Sequence, residues 1–308
     1  MRKEMEQDGI LVFERGWLSS NNILLLGDNH HESVLVDTGY WAHASQTVSL
    51  VKRGLAGQPL GRVLNTHLHS DHCGGNAAVQ HAFDAHIDVP SGEAAIVDAW
   101  DEDALTYRAT GQYCPRFVRS GSVSAPSKFN AGRHQWEAIA SPGHDPRSIA
   151  LYQPDLEVLI SADALWENGF GIVFPELDGD LAFEDVAETL ALFSRLSVRW
   201  VIPGHGAPFS DVPGAITRAT RRLENFVQHP RKHATHAAKV LLKFRLLETQ
   251  AESWESIQAW VSNTSYFETI RVKYFSDCTL ATWIELLILD MAHHGALAIR
   301  DGCILNSQ

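Results

Sequence analysis

Four side chains able to ligate a metal, His67, His69, Asp71 and His72, fall within six residues of the run Asn65-Thr66-His67-Leu68-His69-Ser70-Asp71-His72-Cys73-Gly74-Gly75-Asn76. The apolar pair Val63-Leu64 precedes them and a Gly-Gly turn follows. His67 and His69 stand two apart, so on an extended backbone both imidazoles point to one side and can close on one ion. Asp71 and His72 come where the chain turns, and can aim at a neighbouring point. One strand end therefore offers ligands for two metal positions. Imidazole with carboxylate suits zinc first, with iron or manganese as alternatives.

The pattern His-x-His-x-Asp-His resembles that of the metallo-beta-lactamase superfamily. The resemblance implies three more ligands at later strand ends, and matching residues are present: His144 in Ser141-Pro142-Gly143-His144, Asp163 in Ile160-Ser161-Ala162-Asp163, and His205 in Ile202-Pro203-Gly204-His205-Gly206. It covers roughly residues 10 to 212. Carried over by motif position, it implies His67, His69 and His144 on one ion, Asp71, His72 and His205 on a second, and Asp163 bridging them, for two Zn2+ per chain. A water between two cations loses a proton near neutral pH and attacks as hydroxide. Asp71 would also act catalytically, passing a proton to the leaving group. Asp37-Thr38-Gly39 resembles the family's VDTG element, whose Asp orients the metal loop from behind.

The resemblance implies a metallo-hydrolase acting on a thioester, ester or lactone, in a glyoxalase II-like branch, because Asp163 is present and a helical extension follows. Beta-lactamases typically lack that bridging Asp, and the glutathione-binding lysine and tyrosine pattern of glyoxalase II is not found here. Two other reactions are compatible with the ligands: phosphodiester cleavage (a nuclease or phosphodiesterase) by the same centre, and persulfide dioxygenation at a single iron. A non-enzymatic scaffold is the alternative from another class, and the intact ligand set argues against it.

The elements that must position these residues alternate. Residues 10–16, 21–27 and 33–39 read as strands, with His30 and His31 in a solvated turn between the last two. Helix is expected over 47–54, strand over 62–65, helix over 77–83 and strand over 86–89. Residues 135–140 and 200–202 read as the strands before His144 and His205, and 183–196 as an amphipathic helix. This rhythm is α/β, and the resemblance implies the αββα sandwich of the family with metals at one edge. A boundary is expected near Asp211-Val212-Pro213-Gly214, giving a catalytic domain over 1–212 and a mostly helical C-terminal domain over 213–308. Helices over 215–228, 234–250, 254–261 and 279–293 and a hairpin around Asp301-Gly302 resemble the winged-helix-like extension of some superfamily members.

Residues 91–119 read as a helical insertion rich in aromatics and arginines. Such a wall can receive a substrate with an apolar body and a carboxylate, which makes Tyr107, Tyr113 and Arg116 substrate candidates, with Arg147 after His144 and Trp166 after Asp163. His229, His233, His236, His293 and His294 form no closed ligand set and read as surface or capping residues. The chain has 308 residues, 45% apolar, with a net charge of −12. Residues 213–308 carry 11 basic and 9 acidic side chains, so the acidity lies in the part with the metal motif. That argues against a nucleic-acid partner and for a small-molecule substrate. No apolar run is long enough for a membrane span, and the charged start, Met1 to Asp8, has no signal-peptide core. Cys73, Cys114, Cys278 and Cys303 are scattered, as in a reduced, cytoplasmic compartment. The C-terminal domain is expected to pack, gate the substrate or form a homodimer.

Overall fold

The computed structural model describes residues 2–307. Met1, heading the charged start, and Gln308, ending the C-terminal segment, lie outside the described residues. Strands β1 (Ile10–Phe13), β2 (Asn22–Leu25), β3 (Ser33–Val36), β4 (Leu60–Leu64), β5 (His86–Pro90) and β6 (Gly121–Val123) form one sheet in chain order. Its first two pairings are antiparallel, and the rest are parallel. Parallel neighbours need crossovers. After α1 (Arg2–Gln7), helices α2 (Ala44–Leu55), α3 (Ser70–Cys73), α4 (Asn76–Phe83), α5 (Ala94–Ala99) and α6 (Tyr107–Thr110) lie in those connections.

The second sheet contains β7 (Ser127–Ala131), β8 (His134–Ala140), β9 (Ile149–Gln153), β10 (Val158–Ala162) and β11 (Trp200–Pro203) in the order β11-β10-β9-β8-β7. Only β10 and β11 run parallel, with α7 (Phe174–Asp178) and α8 (Ala182–Phe193) between them in the chain. Ile23, Val34, Val36 and Leu64 of the first sheet pack against Trp136, Leu151, Ile160 and Ile202 of the second. The first sheet's other face buries Leu24, Leu35, Val63 and Ile87 under Val51, Leu55 and Val79. The second sheet's other face buries Leu159 and Val201 under Val186, Leu190 and Phe193. Strands covered on both faces read as continuous apolar runs rather than alternations, as β2, β3, β9 and β10 do. The result is the expected αββα sandwich.

The remaining elements are α9 (Val212–Gln228), α10 (Pro230–Thr249), β12 (Ala251–Ser253), α11 (Trp254–Asn263), α12 (Ser265–Tyr274), α13 (Leu280–His293), β13 (Leu297–Arg300) and β14 (Cys303–Asn306). The last three strands pair in the order β12-β14-β13, so a small sheet with a terminal hairpin accompanies the helices. Helix α9 starts where the boundary was expected, yet Ala215, Ala219, Leu223 and Phe226 belong to the core under the second sheet. From α10 onward the buried apolar side chains join a second core with α11, α12 and α13, which also takes in Ile172 and Leu177. We propose His229–Pro230, rather than residue 212, as the start of the C-terminal unit.

Two local expectations need correction. Of residues 91–119 only α5, α6 and a short 3-10 turn are helical, and the stretch beyond Gly111 is extended or irregular. Helices α7 and α12 lie where no helix was expected. Among the described residues no helix is long and apolar enough to cross a membrane.

Candidate metal centre

The seven motif residues come from four strand ends of the two sheets. His67 and His69 lie just past β4, Asp71 and His72 in the single turn of α3, His144 past β8, Asp163 immediately past β10 and His205 past β11. Ligand atoms of His67, His69 and His144 lie within 4.8 Å of one another, and so do those of Asp71, His72 and His205. Asp163 stands between the two groups, with Oδ1 3.3 Å from His72 Nε2 and Oδ2 3.4 Å from His144 Nε2 and 3.9 Å from His205 Nε2. His69 Nδ1 is 2.7 Å from His144 Nε2, and His205 Nε2 is 3.0 Å from Asp71 Oδ2.

The surrounding hydrogen bonds fix which ring nitrogens face inward. His72 Nδ1–H donates to Asp37 Oδ2 at 2.7 Å. Thr66 Oγ1–H donates to the same oxygen at 2.8 Å and accepts from His67 Nδ1–H at 3.1 Å. His144 Nδ1–H donates to the Ile172 carbonyl at 2.5 Å. His67 and His144 are thereby held with the Nε2 lone pair toward the centre, the tautomer a metal ligand needs, and His72 is held with its Nε2 turned the same way. His67 Nε2 and His72 Nε2, both turned to the centre, are buried with no hydrogen-bond partner, a cost that a metal ligand does not pay. Gly204 leaves the space for Asp163: a Cβ there would stand 2.1 Å from Asp163 Oδ1.

Besides His72 Nδ1–H, Asp37 accepts the Thr66 amide at 2.9 Å. Thr38 adds an amide hydrogen bond to the His72 carbonyl at 2.7 Å, tying the loop to the end of β3. Asn21 braces the His205 loop by donating to the carbonyls of Pro203 at 2.9 Å and Gly206 at 2.7 Å.

Burial, reinforced by repulsion from His72, His69 and His144, holds His67 well below the usual imidazole range. Burial lowers His69 as well, and burial with the neighbouring His69 brings His144 down to about 4. These rings are neutral, the state that ligates. At His72 burial is outweighed by the Asp163 and Asp37 carboxylates, which hold a proton on it well above the usual range. Burial would raise Asp163, but His72 and His205 hold it well below the usual carboxylate range. A cation would satisfy the same carboxylates. The donor set therefore fits zinc, iron or manganese.

A cavity of about 570 Å³ opens from this cluster and is walled mainly by apolar side chains, among them Trp17, Trp166, Ile172, Phe174 and Phe244. Trp166 lines it, and its indole N–H also donates to Asp163 Oδ1 at 3.2 Å. Trp17 lies 5.4 Å from the His205 ring and nearly parallel to it. The other substrate candidates lie elsewhere. Tyr107 is buried beneath the metal loop, its hydroxyl donating to the Leu68 carbonyl at 2.9 Å and 3.1 Å from Cys73 Sγ. Tyr113 is exposed and packs edge-on against Trp41, and Arg116 is exposed over Trp100. Arg147 is turned to Glu93 in a small adjoining pocket. Tyr107 seals the sandwich and the other three are turned elsewhere, which leaves these four off the cavity wall. The far wall is instead built by α9 and α10 through Arg222, His236, Val240, Leu241, Lys243 and Phe244. The reading of the histidines as surface or capping residues fails for two of them: His233 is fully buried, and His236 lines the cavity. Cys73 points into the core, 3.8 Å from Cys114.

A family model described as the metallo-beta-lactamase superfamily matches residues 15–205. The chain belongs to the metallo-beta-lactamase superfamily. This member of a metal-dependent superfamily is accordingly an enzyme with hydrolase relatives. A hydroxyacylglutathione hydrolase of Rhizobium meliloti (strain 1021) is 25% identical over 161 residues, 52% of this chain and 54% of that protein. The chain thus spans about half the length of that relative. Metallo-beta-lactamase domain-containing protein 1 of Xenopus laevis is 30% identical over 182 residues, 58% of this chain and 67% of that protein. A solved metallo-beta-lactamase family protein of Thermus thermophilus has a TM-score of 0.54 at 19% identity, over 97% of this chain and 98% of that one. The shared fold of this superfamily member therefore extends through the C-terminal unit.

Proposed function

We propose that this enzyme hydrolyses a thioester, ester or lactone of a small molecule at a two-zinc centre held by His67, His69, His144, Asp71, His72, His205 and Asp163. The observation that carries the reading is the convergence of all seven side chains in one cluster, five of which, His69, Asp71, His144, Asp163 and His205, line one apolar cavity. Its volume, about 570 Å³, matches a small-molecule site. Bound there, the metal pair would supply an activated water and a Lewis acid for the carbonyl.

The chain's own residues do the rest. Trp17, Trp166 and Phe174 exclude bulk water, which strengthens charge interactions at the floor. Trp166 fixes Asp163 by its indole N–H. Asp71 is the most exposed carboxylate of the set and lines the cavity, where its free oxygen can take a proton from the attacking water and pass it to the leaving group. A cytoplasmic location and a homodimer through the C-terminal unit belong to the same proposal. Leu286 and Leu289, exposed on α13, motivate the dimer, and sedimentation equilibrium measures it.

The test is a panel of acyl thioesters, esters and lactones with metal-loaded protein against a His69→Ala control, with elemental analysis of the same sample. Turnover above the control with two zincs per chain supports the proposal. No turnover across the panel sinks it, and one iron per chain with oxygen uptake on glutathione persulfide replaces it with the dioxygenase reading.

A further inference from the structure

Arg222 of α9 is a half-buried cation on the cavity wall, and among the described residues no carboxylate lies within ion-pair distance of it. Its neighbours hold it without neutralising it. One Nη2–H donates to His236 Nε2 at 2.6 Å, and the guanidinium lies over Phe170 at 5.6 Å and Phe226 at 5.3 Å. Nε is buried with no hydrogen-bond partner. Nη1 lies against Gly169, where a Cβ would stand 2.8 Å from it, so the residue there must be glycine for Arg222 to keep its place. Burial, with Arg222 and Lys239 nearby, brings His236 down to about 4, which makes it a neutral acceptor that orients the guanidinium.

Desolvating an arginine without a counter-charge is unfavourable. On the same helix Arg218, which is more exposed, has its anion in Asp211 at 3.0 Å. The other charged groups of the cavity cannot serve Arg222: Asp71 and Asp163 belong to the metal cluster, and Glu167 is exposed and forms no ion pair with it. Lys243 is not a second free cation, because its Nζ donates to the carbonyls of Ala296 at 2.8 Å and Ser307 at 2.6 Å and to Asn306 Oδ1 at 2.6 Å.

We propose that Arg222 receives a carboxylate of the substrate, so that the enzyme acts on an acyl compound whose apolar body carries a second, anionic group. Its terminal N–H groups other than the one given to His236 can donate to a planar carboxylate. A single available cation matches a monoanion better than a dianionic phosphate. The inference rests on the cavity being the substrate site.

Binding, rather than turnover, tests it separately from the hydrolase reading. The probes are 5-phenylpentanoate and its neutral carboxamide, titrated calorimetrically into metal-loaded protein. Arg222→Met should weaken the carboxylate by ~10–100-fold relative to the amide, the range for losing a hydrogen-bonded charge. Arg222→Lys, which keeps the cation, should lose less. Equal carboxylate binding in the wild type and Arg222→Met overturns the proposal, since the metal centre alone would then hold the anion. So does a wild type that binds the amide as well as the carboxylate, an outcome readable even if Arg222→Met does not fold. Carboxylate selectivity without any acyl turnover would leave this inference standing and remove the proposed reaction.

Discussion

Asp37→Asn changes one atom type behind the metal loop and keeps volume and shape, so cavity effects drop out. Oδ1 of Asp37 accepts the Thr66 amide at 2.9 Å, and Oδ2 accepts His72 Nδ1–H at 2.7 Å and the Thr66 hydroxyl at 2.8 Å. Whichever way the asparagine amide is turned, its NH2 meets a donor. Facing His72, it drives the imidazole to the tautomer with the proton on Nε2, the atom that should ligate. Facing Thr66, it sets two N–H groups against each other in a buried site. Losing one hydrogen bond to a charged group costs about 1.5–3 kcal/mol, and at ~1.4 kcal/mol per decade that is ~10–100-fold in metal affinity. Independent experience with residues that orient metal-ligating histidines gives the same range, ~10–100-fold. The assay is zinc competition against a chromophoric chelator at neutral pH, with melting of the metal-free protein alongside. A zinc affinity within about twofold of wild type would refute the claim that Asp37 sets the His72 tautomer.

Gly204→Ala places a methyl 2.1 Å from Asp163 Oδ1 and should displace that carboxylate; loss of at least one metal equivalent on dialysis is expected, and full retention contradicts the packing argument. His233, buried against Phe183 and Phe226, has its pKa brought down to about 3 by burial and then by His236 and Arg222. A histidine with a lowered folded pKa loses stability as pH falls below its unfolded value of about 6.5, so between pH 7 and 5 the loss is about 2 kcal/mol. His233→Leu should flatten that part of the urea-midpoint profile, and an unchanged slope would count against it. Arg116→Ala should leave kcat/KM within about twofold on any active substrate, because surface positions outside the site rarely matter; a tenfold fall would return Arg116 to the substrate wall.

The candidate cluster was legible because its signals are local. His67, His69, Asp71 and His72 share one strand end, and His144, Asp163 and His205 each follow an apolar run with a turn residue nearby. Asp37 was legible only through resemblance, since nothing in its neighbourhood announces a hydrogen bond to His72, 35 positions away. Tyr107, Tyr113 and Arg116 lie off the cavity wall, which was not legible because aromatic and arginine content looks the same in a substrate wall, in a buried core and on an exposed surface. Arg222 and His236 gave no usable signal, since on an amphipathic helix a cation toward solvent and one toward a cavity have the same spacing.

By itself the sequence determined the α/β layers, the seven candidate ligands and a change of architecture after the last of them, because hydrophobic periodicity and ligand spacing are properties of neighbouring residues. Tertiary structure alone decided that α9 belongs to the sandwich, that α10 closes the cavity, and that an unpaired guanidinium faces it. Those outcomes depend on which surfaces two distant segments bury against each other, and burial is what turns an ordinary arginine into a group in need of an anion.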